Sequence, residues 1–222
     1  MAYKARLLMT EFVTHDVKRL VLTRPKGFRW TPGQGTLLAI NKPGLKEEAH
    51  PFTPTGPAGA DVVEFTIKQY PDRHGLTQKL HNLAPGAELL LADAFGDIAY
   101  KGRGTFIAGG AGITPFIALL RQMEQEGKLR GSSLIFSNKR WEDIILEREL
   151  KSFLGERCTF TLTQEKRPGY ERRPITEALL KEKVRDFSQY FYVCGPPQFI
   201  MDVNESLVKL GAKRKKLVFD EP

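Results

Sequence analysis

The chain has 222 residues, enough for one large domain or two small ones, and its 41% hydrophobic and 27% charged content predicts an ordinary water-soluble globular protein. No run approaches the roughly eighteen apolar residues that span a bilayer. The two cysteines, Cys158 and Cys194, are too few for a disulfide scaffold or for a four-thiolate zinc or iron–sulfur site within the chain. The net charge of +8 (34 basic minus 26 acidic residues) favours acidic partners: phosphorylated cofactors, acidic proteins or nucleic acid.

The N-terminus, MAYKARLLMTEF, lacks the charged start, long apolar run and small-residue cleavage site of a secretory signal, so a cytoplasmic protein is expected. From there to about residue 100, short β-like segments are separated by Pro and Gly turns: Tyr3 to Met9, Lys18 to Thr23, Gly35 to Ile40, Val62 to Gln69 and Glu88 to Ala92. Val63, Phe65 and Ile67 alternate with Glu64, Thr66 and Lys68, giving one buried and one wet face. One short helix is predicted, over Thr77 to Leu83. This texture predicts an antiparallel barrel or sandwich over residues 1–100.

From Gly104 onward the rhythm changes. Strand-like runs at Thr105 to Ala108, Ser133 to Ser137, Cys158 to Thr163, Tyr190 to Cys194 and Leu217 to Phe219 alternate with helix-like runs at Pro115 to Glu126, Glu142 to Leu154, Thr176 to Val184 and Pro197 to Leu210. This predicts an α/β domain with a parallel sheet over residues 101–222, the boundary falling within FGDIAYKGRG. GPAGA at 56–60 and TQEKRPGYERRP at 163–174 are expected to be mobile surface loops.

Ligands of an open parallel sheet bind at the carboxyl ends of its strands. Three stretches converge there: FIAGGAGITPF, FSNKRWED and YVCGPPQFI. In the first, Gly109, Gly110 and Gly112 carry no Cβ to keep a ligand from the backbone, Thr114 is the predicted N-cap, Pro115 suits the first helical turn and Gly127 ends the helix. Free amides at a helix N-terminus suit a pyrophosphate, but Pro115 stands where the dinucleotide fingerprint has its third glycine, so a plain strand-to-helix turn is the alternative. Cys194, before Gly195, Pro196 and Pro197, reads either as part of a second such turn or as a buried structural thiol. The basic run KLGAKRKKLVF (Lys209, Lys213, Arg214, Lys215, Lys216) reads as a solvated helix end or a docking face. Basic residues interleaved with aromatics are absent, and nucleic acid is not an expected partner.

In their order along the chain, HPFTPTG, VEFTIKQYPDRHGLTQKL, FIAGGAGITPFIALL, FSNKRWEDIILEREL and FYVCGPP resemble the ferredoxin–NADP reductase superfamily, in particular flavodoxin or ferredoxin reductases and also cytochrome b5 reductases. The resemblance covers nearly the whole chain and implies a two-domain protein: an antiparallel β-barrel binding flavin, then a Rossmann-like α/β domain binding NAD(P). The family's Arg-x-Tyr-Ser/Thr motif falls on His50-Pro51-Phe52-Thr53, implying that Phe52 lies on the isoalloxazine and that Thr53 hydrogen-bonds near N5. Ile67, Lys68, Gly75, Leu76 and Thr77 match its next element, with Thr77 capping a helix under the flavin phosphates. Gly109, Gly110, Ala111, Gly112, Thr114 and Pro115 would take the dinucleotide pyrophosphate, Cys194, Gly195 and Pro196 would lie beside the nicotinamide, and Phe219, Asp220 and Glu221 would approach the flavin.

His50 replaces the family's usual arginine, and a neutral imidazole cannot form its bidentate clamp on a pyrophosphate, so FAD is expected with FMN as the alternative. Asn138, Lys139 and Arg140 lean towards NADPH, whereas the following spacing also resembles NADH-using members. The resemblance implies an NAD(P)H-dependent flavoprotein reductase in which Thr53 and Cys194 flank the reacting atoms. Its expected electron acceptor is a protein such as flavodoxin or ferredoxin. Diaphorase-like reduction of a small acceptor and a role as an electron-transfer subunit are the alternatives.

Overall fold

The computed structural model describes residues 3–70 and 75–220, which form two compact units divided after Gly96. The first contains β1 (Tyr3–Thr14), β2 (Val17–Thr23), β3 (Thr36–Ile40), β4 (His50–Phe52), β5 (Val62–Lys68), α1 (Leu76–His81) and β6 (Glu88–Leu91). The strands pair antiparallel in the order β4-β3-β6-β1-β2-β5. The two edges meet. Pro54, just past β4, bridges Phe65 of β5, and the Thr55 amide donates to the Glu64 carbonyl at 2.7 Å. The Thr55 and Thr66 hydroxyls share a buried hydrogen bond of 3.0 Å, so the sheet closes into the expected barrel.

The alternation read in the sequence holds in the barrel wall except at Thr66, expected on the wet face but buried because its hydroxyl bonds Thr55 at the seam. Leu20 and Leu22, Leu38 and Ile40, Val63, Phe65 and Ile67, and Leu89 and Leu91 all point into one core, which Leu76 and Leu80 of α1 cover. Each such side chain contributes about 1.5–3 kcal/mol on burial. Arg24 stacks on Trp30, 4.9 Å from the ring centre, and donates to the carbonyls of Ala58 and Ala60 at 2.8 and 2.9 Å. The GPAGA segment, read from sequence as mobile, is therefore tied down.

The second unit contains β7 (Gly104–Gly109), α2 (Thr114–Gln125), β8 (Ser133–Asn138), α3 (Glu147–Leu154), β9 (Cys158–Leu162), α4 (Glu177–Lys183), β10 (Tyr190–Cys194), α5 (Pro197–Lys209) and β11 (Leu217–Val218). All five strands are parallel, in the order β11-β10-β7-β8-β9. The chain leaves β7 for β8 and β9 on one side, then returns for β10 and β11 on the other. The topological switch point therefore lies between β7 and β10, where ligands of such sheets bind.

Phe106, Phe116 and Tyr192 fill the core on one face of this sheet, with Phe106 stacked on Tyr192 at 4.4 Å between ring centres. Ile107, Val193, Leu179, Ile200, Val203 and Leu207 fill the other. The helix expected over Glu142 to Leu154 is broken. A 3₁₀ turn at Trp141–Asp143 is followed by Ile144 and Ile145, which are buried, and Leu146 takes φ +53° before α3 begins. The β-branched pair is drawn into the core at the expense of helical geometry. The 163–174 loop is also anchored: Glu171 exchanges backbone bonds with Leu162 and Phe160 at 2.8 and 3.0 Å, and the Tyr170 hydroxyl donates to Glu147.

Candidate functional site

In the first unit the four residues His50 to Thr53 are β4 and its exit, on the strand that makes the seam of the barrel. His50 and Pro51 are exposed, while Phe52 and Thr53 are half-buried and Phe52 packs against the edge of the barrel core. Among the described residues the Thr53 hydroxyl has no hydrogen-bond partner, whereas Thr55 two residues on is engaged by Glu64 and Thr66. An aromatic face beside a free hydroxyl on a rigid strand suits a flat heteroaromatic ring with a hydrogen-bonding edge.

The element after it is more structural than the sequence suggests. Ile67 and Leu76 have their side chains in the core, so only their backbone can meet a ligand. The Lys68 ammonium is 2.8 Å from the Asp16 carboxylate. Thr77 is not a helix cap: Gly75 holds the N-cap position of α1, and the Thr77 hydroxyl accepts from the Tyr70 amide at 3.3 Å. The helix begins two residues earlier than its capping signal implies because Leu76 is drawn into the core. His81, its last residue, is buried and binds the Ile67 carbonyl through Nε2 at 2.7 Å, with Nδ1 unpartnered among the described residues. Burial holds its pKa below the ordinary value, against the opposing bond from Ile67, so the ring is neutral and Nε2 carries the donated proton.

In the second unit the two glycine turns meet at the switch point. Gly109 ends β7, and a 3₁₀ turn over Gly110–Ile113 leads straight into α2. Thr114 is already helical and its hydroxyl donates back to the Ala111 carbonyl at 3.1 Å, so it is not the N-cap; Pro115 lies in the first turn as expected. Gly110 takes φ +53° with open space where a Cβ would be, which leaves the backbone there bare. The other glycines serve a second purpose. A Cβ on Gly112 would lie 2.4 Å from the Cys194 carbonyl oxygen and 2.6 Å from the Gly195 Cα. On Gly195 it would lie 2.6 Å from the Phe199 ring, and on Gly109 3.3 Å. The absent side chains therefore let two turns and one ring close on each other, as well as exposing amides.

Cys194 is half-buried, and burial, reinforced by the Asp220 carboxylate, pushes its thiol up to about 12. It is a neutral thiol at neutral pH, not the thiolate that a nucleophile requires. Asp220 itself accepts from the Asp97 amide at 2.9 Å. Phe219 packs against the apolar core of this unit; Glu221 lies outside the described residues.

At the end of β8, Asn138 is buried with its side-chain nitrogen unpartnered among the described residues, a donor left at the mouth of the sheet. Lys139 and Arg140 are exposed beyond it, and Pro196 is exposed at the other turn. The sequence reading missed the neighbours that fix this corner. Glu165 accepts from the Trp141 amide at 2.8 Å, the Trp141 indole N–H donates to Glu147 at 2.9 Å, and the Arg167 guanidinium lies 3.9 Å from the indole centre. Phe199 was missed as well; its only signal was an aromatic residue one helical turn beyond Gly195.

Residues 106–205 match the family model described as the oxidoreductase NAD-binding domain. The chain is 30% identical to NADH-cytochrome b5 reductase 2 of Mycosarcoma maydis over 82% of its own length, and 28% identical to the reductase component of propane 2-monooxygenase of Mycolicibacterium goodii over 89%. It spans 58% and 61% of those two proteins. Among solved structures it resembles the flavohaem-like FAD/NAD-binding domain of a nitric oxide dioxygenase from Vibrio cholerae O1 biovar El Tor (TM-score 0.87, 18% identity, 99% of this chain and 98% of that one). It also resembles a ferredoxin–NADP+ reductase from Neisseria gonorrhoeae solved with FAD and NADP (TM-score 0.82, 21% identity, 98% and 97%). The closed barrel, the parallel sheet with paired glycine turns and these likenesses give the chain the fold of those solved proteins, with a match to the oxidoreductase NAD-binding domain over residues 106–205, and make it similar to the ferredoxin–NADP reductase superfamily that its motifs resemble.

Proposed function

We propose that the chain is an NAD(P)H-dependent flavin oxidoreductase, with flavin on residues 1–100 and the nicotinamide dinucleotide on residues 101–222. The observation that carries this reading is the pair of glycine turns at the switch point, held so close that no Cβ fits between Gly112 and Cys194. With both cofactors bound, the chemistry supplied is hydride transfer from nicotinamide to flavin N5 and onward delivery of electrons to an acceptor.

The chain's own residues bind and orient. The backbone of Gly109, Gly110, Ala111 and Gly112, bare at Gly110, with Thr114 and Pro115 opening α2, receives the pyrophosphate at a helix N-terminus. Cys194, Gly195 and Pro196 form the wall for the nicotinamide, and the neutral thiol adds no charge there. Asn138 offers its unpartnered amide to the adenosine end, and Lys139 and Arg140 supply charge for a 2′-phosphate, which favours NADPH. On the barrel, Phe52 covers the flavin ring and Thr53 gives its free hydroxyl to the N5 edge. His50 and the backbone of Gly75, Leu76 and Thr77 stand towards the phosphates, and Lys68, held by Asp16, offers its ammonium hydrogens there. FAD is the favoured flavin and FMN the second.

The acceptor in this reading is a protein such as flavodoxin or ferredoxin, and the compartment is the cytoplasm. A reductase component of an oxygenase system is the relative that supports a protein acceptor, as its name says. The test is a visible spectrum of the purified chain under nitrogen with added FAD, followed by NADPH or NADH in separate samples. A bound flavin band that bleaches supports the reading, and the faster nucleotide identifies the donor. No bound flavin and no bleaching overturns it.

A further inference from the structure

Because all five strands of the second unit are parallel, the residues that precede each strand gather at one edge of the sheet, opposite the glycine turns. That amino edge is basic. Arg103 precedes β7, Arg130 lies three residues before β8, Arg157 precedes β9, Arg185 lies five before β10, and the run Lys213 to Lys216 precedes β11. The run noticed in the sequence is thus the last part of a row that the fold assembles from five separate connections.

Contacts join these residues into one surface. The Arg103 side chain lies over Gly131, where a Cβ would sit 2.5 Å from its Cδ. Arg157 donates to the carbonyls of Leu129 and Ser132 at 2.6 and 2.9 Å, and Lys216 donates to the Ser188 carbonyl with its ammonium 5.3 Å from the centre of the Tyr190 ring. Carbonyls orient those cations without neutralising them. Arg103, Arg130, Arg185, Lys213, Arg214 and Lys215 have no ion-pair partner among the described residues; of the carboxylates in these connections, Glu126 is taken by Lys128, Glu156 adjoins Arg157, and Asp186 feels Arg103 and Lys216. A parallel strand of five residues such as β10 separates the two edges by about 13 Å.

We propose that this edge is a docking surface for an acidic protein face, which holds a partner while the opposite edge exchanges nucleotide. Five of the cations are arginines, whose planar forks match carboxylates in pairs. The large exposed apolar side chains described in this unit, Trp141 and Met201, follow β8 and β10 rather than precede a strand, so the edge lacks the apolar wedge that accompanies cations on a lipid surface. Its tyrosine ring is covered by Lys216, which leaves no stacking platform for a nucleic acid. That the partner is an electron-transfer protein rests on the oxidoreductase reading; that it is acidic does not.

The experiment titrates the full chain into a fluorescein-labelled oligo-glutamate peptide at low salt and follows anisotropy. Wild type is compared with R103E/R130E and with K213E/R214E/K215E, and each is matched by an equal-charge control on the first unit, K26E/R29E and K26E/R29E/K42E. Reversal at the edge is expected to weaken binding about tenfold or more, with the control within about twofold and the difference collapsing in high salt. The KM for NAD(P)H with ferricyanide as acceptor should not move in any variant. Equal loss in the control, or tighter binding of phosphatidylserine vesicles or a DNA duplex than of the peptide, overturns the proposal. A chain that binds the peptide but oxidises no NAD(P)H leaves this inference standing and removes the functional one.

Discussion

The place a side chain would occupy on Gly112 is 2.4 Å from the Cys194 carbonyl oxygen, and that oxygen belongs to backbone rather than to a side chain that could swing away. Gly112→Ala must therefore push the two turns apart. We expect about 1–3 kcal/mol of lost stability and a rise of about tenfold or more in the KM for NAD(P)H, read from urea midpoints and steady-state rates. Gly110→Ala meets open space, so its effect comes from the φ of +53° and from a methyl group in the cradle. It should weaken nucleotide binding with a stability loss of only about 1 kcal/mol.

Stability should fall on both sides of neutrality for identifiable reasons. The thiols of Cys158 and Cys194 are pushed by burial from the ordinary 9.0 to about 11 and about 12. Their stabilising effect is complete below pH 9.0 and is lost as the pH rises through the folded values, because only the unfolded chain then sheds its protons. His81 acts oppositely: below 6.5 its imidazole takes up a proton in the unfolded chain and resists it in the fold. Cys158→Ser should flatten the alkaline limb and His81→Gln the acid one, in urea midpoints measured across pH.

Tyr192 is the buried knot of the second unit. Its hydroxyl accepts from the amides of Lys101 and Gly102 at 2.9 and 3.1 Å and donates to the Gly102 carbonyl at 2.6 Å. Tyr192→Phe keeps the stack on Phe106 and orphans those groups, so a loss of about 1–3 kcal/mol is expected in chemical denaturation.

The barrel predictions concern flavin. An arginine at position 50 can bind a pyrophosphate bidentately where the imidazole cannot, so His50→Arg should tighten FAD by about tenfold in a fluorescence-quenching titration while leaving FMN little changed. Thr53→Ala should slow flavin reduction by about tenfold with FAD retained, since it removes one hydroxyl and no stacking area.

Donor choice is tested at the end of β8. Lys139→Ala with Arg140→Ala should raise the KM for NADPH by about tenfold and leave that for NADH within about twofold, measured with one acceptor for both nucleotides. Equal effects on both would make them exposed loop charges.

Alternating residues such as Val63, Phe65 and Ile67 fixed the barrel wall from sequence, because a buried face must repeat every second position. The same logic failed where burial stops. β1 runs on to Thr14 through a hairpin whose Phe12 is 65% exposed under the Lys18 ammonium, and no apolar period marks its end. β4, three residues long with a proline inside, carries no period at all; backbone pairing with β3 makes it a strand. At the site, the glycines were legible as residues that free the backbone. Their partners, Cys194 and Phe199, are about eighty residues away in sequence and meet them only once the parallel sheet is assembled. Thr77 and Thr114 carried sound capping signals, but core residues beside them, Leu76 and Ile113, set where the helices begin.

The seam at Pro54 and Thr55 has a mechanical meaning. The barrel closes along a short line that includes the Pro54–Phe65 bridge, the Thr55 amide-to-carbonyl bond and the Thr55 hydroxyl's bonds to Glu64 and Thr66, and it follows directly on Phe52 and Thr53 in the chain. Any molecule gripping those two residues clamps the line on which the cylinder would unzip. The Thr55 amide is then a built-in gauge: its rate of exchange with deuterium reads how often the cylinder gapes, and a clamped cylinder gapes less.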